Sequence, residues 1–544
     1  MSGTTLDLRD RTALFSCLTA GPFDLIVIGS GITGAGIARD AALRGLKVAL
    51  VEARDFASGT SSRSTKLVHG GIRYLLQADL RLVREAARDR QIIRDLAPHL
   101  AQPTRFVLPV HNRATALKLR IGLTLYEWIG GVKSEDRHER WSPADLRRHE
   151  PAVDPAALGA EAGALVYTEY LTDDGRLTLA NVRSAAAAGA VVANYAPVNG
   201  FVYDQGRVCG VQIQDATGQA DSTVVRAPVV VNASGPWADD LRALDRQNSK
   251  RQLMLSKGIH LVIARDRLPV ANTINLKAAD GRGLFLIPRG PVVYLGTTDD
   301  FYPGSDYWPE IQTNDVDYLL EAVNRSFPAA GISHDDILGA WAGLRPLIGQ
   351  PGKSPSEISR RDLIMESTSG LITIAGGKLT AYRRMAERVV DRCQASLDQS
   401  YAPCTTATSP LPGGKLDMSV DAYVARLASA SDLPEERLLR LVGLYGTEAE
   451  ALLQEGGDIA AEVRQAVFRE GALTLEDYWV RRSARARFDA DGGLAALEPA
   501  AQAMAPLLGW DAAETEAQIT HCRQLRDLEM SGIAASGAAA SSEA

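Results

Sequence analysis

Three glycines, Gly29, Gly31 and Gly34, stand in G-x-G-x-x-G spacing, and an acid, Glu52, closes the next apolar run. That pattern suits a dinucleotide. The first glycine permits a tight turn, the second lets a pyrophosphate approach the backbone, and the third lets a helix pack closely on a strand. A second group lies in "SGTSSRSTKLVHGGIRYL", where Lys66, His69, Arg73 and Tyr74 fall within nine residues amid Ser, Thr and Gly. Linkers are bland as well as polar, so this stretch is either a decorated loop or a surface turned to a ligand. Two further segments, "VVVNASGPWADDL" and "ITIAGGKLTAYR", end apolar runs in small residues. Backbone can approach something flat or anionic there, although tight turns alone would account equally well for either segment.

The elements that must position these groups follow from periodicity. "FDLIVI" (23–28) is apolar throughout, as a buried parallel strand should be, and "KVALVE" (47–52) supplies a second. The helix between them offers free N–H groups and positive dipole character to phosphates. A carboxylate at Glu52 accepts hydrogen bonds from a ribose and disfavours a 2′-phosphate, so NADP is the poorest candidate; spacing does not separate FAD from NAD. Residues 79–100 read as an amphipathic helix, and 113–133 as a basic, apolar one. Arg113, Lys118, Arg120 and Lys133 beside Leu, Ile, Tyr and Trp would suit an interfacial helix. Apolar residues spread almost all round it, however, which favours a buried helix. A β-meander precedes residue 229. Short strands with Gly/Pro turns over about 254–345 predict an antiparallel sheet with a helix at 316–327. Beyond "SPLPGG" the chain reads as helical, and the alanine-rich tail 531–544 as disordered. "GGK" is not a phosphate-binding P-loop, because Ile372 stands where its first glycine belongs.

Bulk properties narrow the class. The chain has 544 residues, 46% of them apolar and 23% charged, which is the balance of a soluble globular protein of several domains. A net charge of −7 argues against a general nucleic-acid binder, so any anion must meet a local cluster of Lys and Arg. The five cysteines form no CxxC pair, which argues against a zinc or disulfide framework and fits a reducing cytosol. The first twenty residues carry Asp and Arg and lack an apolar signal core, and no run of about 18 apolar residues predicts a membrane span.

In order along the chain, the N-terminal unit, "TSSRSTKLVHGGIRYL", "VNASGPWADD", "SKGIHLVI", "LGTTDDFY", "AGLRPL" and "GGKLTAYR" resemble the bacterial FAD-dependent glycerol-3-phosphate dehydrogenases. The likeness covers roughly residues 20–400, with a weaker fit through "EDYWVRRSARARF". It implies an α/β fold: a glutathione-reductase-like, Rossmann-type FAD-binding domain, a mainly antiparallel substrate domain and an all-helical C-terminal domain. The implied divisions are 20–100, 161–245 and 346–405 for the FAD domain, 101–160 for a cap segment, 246–345 for the substrate domain and 410–530 for the helical domain. The resemblance also implies a reaction. sn-Glycerol 3-phosphate is oxidised to dihydroxyacetone phosphate by hydride transfer from C2 to flavin N5, and the electrons pass to membrane quinone. The protein would then be cytoplasmic and held peripherally on the inner face of the cell membrane; a homodimer is left open.

The implied cofactor contacts are Gly29, Ser30, Gly31, Ile32, Thr33, Gly34, Glu52 and Ala53. They continue with Thr60, Ser61, Ser62, Ser64, Lys66, Leu67, His69 and Gly70, then Ala233, Ser234, Gly235 and Trp237, and finally Gly376, Gly377, Lys378, Leu379 and Thr380. Arg345, set between Gly343 and Pro346, could aim a rigid guanidinium fork at phosphate, with Arg73, Lys378 and Arg361 as further cations. His260 is the candidate base or phosphate-proximal donor, and His69 a rival placed nearer the flavin. Tyr74 would bond substrate or wall the pocket, and Thr298 and Asp299 would orient these groups or form a turn. No metal site is implied. Three other readings remain. The oxidase branch, which makes H2O2 from O2, commonly carries a mid-chain insertion not visible here. A non-catalytic flavin-binding regulatory protein would be expected to lose Arg345, His260 or Lys378. An NAD-linked dehydrogenase is disfavoured by the later segments.

Overall fold

The structure is a computed structural model. It describes residues 5–69, 80–130, 132, 136–246, 249–350, 352–355, 357–358, 361–397 and 399–540, and only the backbone at 80–83, 129–130 and 534–540. A six-stranded sheet runs in the order Asp362–Glu366, Ile372–Gly376, Val229–Asn232, Leu25–Ile28, Val48–Val51, Val191–Ala193. All its pairings are parallel except that of the Asp362–Glu366 edge. Leu25–Ile28, Val48–Val51 and Val229–Asn232 are fully buried because both faces are covered. Helices Ile32–Leu43, Asp174–Ala187 and Tyr382–Gln394 pack one face. A three-stranded antiparallel meander, Val198–Asp204, Arg207–Ile213 and Thr223–Arg226, covers the other.

The second large sheet is mostly antiparallel and centres on two long strands, Leu253–Ala264 and Ile337–Ile348. Helix Thr313–Ser326 packs against it. Strand Ala164–Leu171 pairs with Gln102–Pro109 and with Leu67–Val68 inside this same sheet. The division expected at 160/161 is therefore misplaced. Ala164–Leu171 is buried along most of its length, and an apolar strand of that kind cannot be assigned to one sheet or another without its partners.

The C-terminal helices Val420–Ala428, Glu435–Tyr445, Ile459–Glu470 and Leu497–Leu508 form clusters of their own and are tied to the nucleotide-binding sheet by buried charge. Arg176 bonds Glu470 through two nitrogens at 2.5 and 2.8 Å, and Arg183 grips Glu448 at 2.7 and 2.7 Å. The π-helical turn Asp477–Arg482 brings Arg481 and Arg482 onto Asp55.

Two expectations are corrected here. Helix Ala512–Ala540 runs through most of the tail read as disordered; alanine is the best helix former, and low complexity concealed that. Helix Arg113–Gly130 is not enclosed. Ala116, Leu123 and Tyr126 are buried, whereas Leu117, Ile121 and Trp128 are 58%, 60% and 79% exposed. Apolar residues on every side conceal which side the fold covers.

Candidate active site

The turn after Leu25–Ile28 is shaped by two of the three glycines. Gly29 takes φ +97°, and a Cβ on it would lie 2.8 Å from Ala233 O; a Cβ on Gly34 would lie 1.9 Å from Gly29 O. Gly34 therefore holds helix Ile32–Leu43 against the turn. Glu52 Oε2 accepts from Ser30 N at 2.6 Å and Oε1 from Arg54 N at 3.1 Å, while Ser61 Oγ accepts from Ile32 N at 2.9 Å. Burial pushes the Glu52 carboxyl up, opposed by those two amides.

From this turn a cavity of about 280 Å³ runs along the ends of the parallel strands. Gly29, Gly31, Ile32, Thr33, Glu52, Ala53, Thr60, Ser61 and Ser64 line one side, and Ala233, Ser234, Gly235, Trp237 and Gly376 to Leu379 the other. Such a channel fits FAD. The helix N-terminus and bare glycine backbone face a pyrophosphate, Glu52 offers a ribose acceptor, and a buried hydroxyl, Ser30 Oγ, has no partner among the described residues. Gly34→Ala should lower flavin bound at limiting FAD by about 10- to 100-fold, since the added methyl meets backbone that cannot give way. The ratio of flavin to protein absorbance after gel filtration measures this, and a variant with wild-type flavin content would disprove the packing role.

A second cavity, about 170 Å³, adjoins the first along Thr60, Ser64, Pro346 and Gly376 to Leu379. Strand register builds it. Ser256 faces Arg345, Gly258 faces Gly343, and His260 faces Trp341 across the two long strands. The Arg345 guanidinium crosses over Gly258, where a Cβ would lie 2.2 Å from Nη2. Nη2 donates to Thr297 Oγ1 at 2.8 Å, and Nη1 donates to Thr298 O and Asp299 Oδ1, both at 3.1 Å. His260 stacks on Trp341, with centroids 4.7 Å apart and planes within 13°. Its Nε2 lies 3.0 Å from Thr65 Oγ1, and Nδ1 has no hydrogen-bond partner among the described residues. Burial, then Arg345 and Lys66, pull its pKa well below 6.5, so the imidazole is neutral. Arg63, His69, Arg361 and Lys378 also line this cavity, and none of the described lining residues is acidic.

The sequence-picked residues thus gather around two joined cavities, with exceptions. Ser30, Gly34, Ser62 and Lys66 line neither one. The Lys66 ammonium is engaged by Asp174 Oδ1 at 2.5 Å and Ser62 O at 3.1 Å, so it fastens the loop rather than facing a ligand. The Thr298 hydroxyl accepts from Ile259 N at 3.1 Å and is buried behind Arg345. Arg361 stands exposed at the rim. Gly70, Arg73 and Tyr74 lie outside the described residues. Sequence reasoning missed Arg63, Thr65, Thr297 and Trp341. Arg63, whose pKa burial lowers to about 10, lies under Tyr307 and Trp308. Its position inside the Ser/Thr-rich stretch was the available signal.

Fold and site together define a flavin-dependent oxidoreductase. A family model described as FAD dependent oxidoreductase matches residues 24–383, and one described as the C-terminal domain of alpha-glycerophosphate oxidase matches 404–515. The aerobic glycerol-3-phosphate dehydrogenase of Bacillus subtilis (strain 168) is 40% identical over 88% of this chain and 90% of that protein. Its counterpart in Staphylococcus aureus (strain USA300) is 39% identical over 92% and 94%. The structure of glycerol-3-phosphate dehydrogenase from Bacillus halodurans complexed with FAD superposes with a TM-score of 0.80 at 34% identity, covering 97% of this chain and 99% of that one. The chain belongs to the FAD-dependent oxidoreductase family, on its glycerol-3-phosphate dehydrogenase branch.

Proposed function

We propose that the protein oxidises sn-glycerol 3-phosphate at C2 to dihydroxyacetone phosphate and delivers the electrons to a membrane quinone. The carrying observation is the second cavity. It collects Arg345, Lys378, Arg361 and Arg63 without a carboxylate among its described lining, and it opens onto the cofactor channel beside a neutral histidine. A small phosphate dianion with a secondary alcohol needs that combination. FAD supplies the two-electron acceptor; the side chains bind, orient and move the proton. Arg345, fixed in aim by Thr297 and Asp299, and Lys378 hold the phosphate, with Arg361 at the mouth and Arg73 and Tyr74 as further contacts. His260 accepts the hydroxyl proton at a ring nitrogen, and His69 packs near the flavin. Thr298 acts on substrate only through Arg345. Attachment to the inner face of the cell membrane completes the reading, and no helix among the described residues is long and apolar enough to cross a bilayer.

Anaerobic addition of glycerol 3-phosphate should bleach the visible flavin band, and a soluble quinone analogue should restore it faster than oxygen does. Bleaching by another alcohol but not by this one would sink the proposal, and peroxide formed in step with turnover would transfer the protein to the oxidase reading. Because the folded state holds His260 well below 6.5, kcat/KM should show no loss from imidazole protonation as pH falls through 6.5. An unperturbed base would lose about tenfold per pH unit below that point.

A further inference from the structure

We propose that the outer face of helix Arg113–Gly130 is the surface by which the protein docks onto an anionic phospholipid bilayer. Single exposed apolar side chains are ordinary and need no explanation. Here three large ones share a stripe. At about 100° per residue, Leu117, Ile121 and Trp128 fall within about 40° of one another, with Arg113 and Arg120 on one flank and Lys118 on the other. All six are exposed. The helix has one acid, Glu127, and it is buried, accepting from His138 N at 2.5 Å and meeting His138 Nδ1 at 2.9 Å. The exposed face of this helix is therefore cationic and apolar on a chain whose net charge is −7, and that combination is complementary to headgroup phosphates above acyl chains.

An open cleft of about 480 Å³ adjoins the stripe. Arg120, Arg137 and Arg140 border it together with Trp128, and the two acids of its lining are already engaged, Glu127 by His138 and Glu139 by Arg105, so a headgroup phosphate can sit among guanidiniums while the indole lies at the depth where aromatic rings partition. The opposite face of the helix supplies Ala116 and Leu123 to an apolar cluster that also contains Trp341, the ring stacked on His260. One packed cluster thus links the docking helix to the substrate cavity. Docking there rests on the quinone-linked reading for its purpose, and it names the surface through which a lipid-borne acceptor is approached.

The test is flotation of the FAD-loaded protein with vesicles of phosphatidylglycerol and phosphatidylcholine, against phosphatidylcholine alone. Binding should need the anionic lipid and should fall as salt screens it. Arg113→Glu/Lys118→Glu/Arg120→Glu should weaken it by about 100-fold or more, and Leu117→Ser/Ile121→Ser/Trp128→Ser by about 10-fold or more. Dye-linked glycerol 3-phosphate oxidation in solution should stay unchanged in both variants, which also reports that they fold. Equal binding to both vesicle types, or variants that bind like wild type, would overturn the proposal. So would an apolar variant that turns a dimer into a monomer in light scattering without altering flotation, since the face would then belong to a second copy. If flotation behaves as expected but glycerol 3-phosphate fails to reduce the flavin, the docking surface stands and the substrate reading falls.

Discussion

Arg345→Ala should lower kcat/KM for glycerol 3-phosphate by about 100- to 1,000-fold while leaving flavin content at wild-type level. Truncating one partner of a largely buried, charge-assisted pair costs roughly 2–5 kcal/mol, and each 1.4 kcal/mol is about tenfold. The Arg345 side chain is only 19% exposed and is held by Thr297, Thr298 and Asp299, so no flexible neighbour can move into its place. Arg345→Lys should recover little, because an ammonium cannot reproduce the two-pronged geometry. A second signal accompanies the loss. Burial is the main cause that depresses His260 and the Arg345 charge the next; removing that charge moves the imidazole upward, so any acid limb in the pH profile of the variant should lie at higher pH than in wild type. Steady-state kinetics across pH, with flavin absorbance as control, measure both effects. Equal loss of flavin and of substrate turnover would make Arg345 a structural residue instead.

The order of motifs in the chain disclosed the nucleotide-binding half because its signals are local. Gly29, Gly31, Gly34 and Glu52 sit within one strand–helix–strand unit, and the glycine turn directly after "FDLIVI" marks that run as the strand of the unit. The substrate cavity was legible residue by residue but not as an arrangement. His260 meets Trp341 through cross-strand register, and sequence carries no marker of register between segments so far apart. Lys66 looked like a ligand contact because its partner, Asp174, lies 108 residues away. The helix Arg113–Gly130 failed for a different reason: a period of 3.6 locates a face only when the other face is polar, and here exposed and core-facing residues look alike.

Long-range charge was the least legible feature, and it carries the largest expected effect on stability. Asp55 is 426 residues from Arg481 in sequence, yet its carboxylate contacts both Arg481 and Arg482 and lies 2.7 Å from Arg482 Nη2. Burial pushes the Asp55 carboxyl up, but Arg482 and Arg481 overcome it and hold it below the usual carboxylate range. Asp55→Ala should cost about 3–5 kcal/mol, because removing one member of a buried ion cluster leaves its partners charged and unsolvated. Arg481 would retain Glu476 and Asp477, whereas Arg482 would keep Glu470 O as its remaining named acceptor. Against a typical total of about 5–15 kcal/mol, a loss of that size should release the C-terminal helices before the nucleotide-binding sheet. Urea unfolding should then split into two transitions, one followed by tryptophan emission and the other by flavin release. The pH dependence has a definite sign. A carboxyl depressed in the folded state contributes stability above its unfolded pKa of about 3.9, and that contribution disappears as pH falls through the lower folded value. The gap between wild type and Asp55→Ala should accordingly be constant near neutrality and narrow below about pH 4. A variant within about 1 kcal/mol of wild type at neutral pH would mean that the arginines find solvent, and that the C-terminal helices are held by Arg176, Arg183 and apolar contact instead.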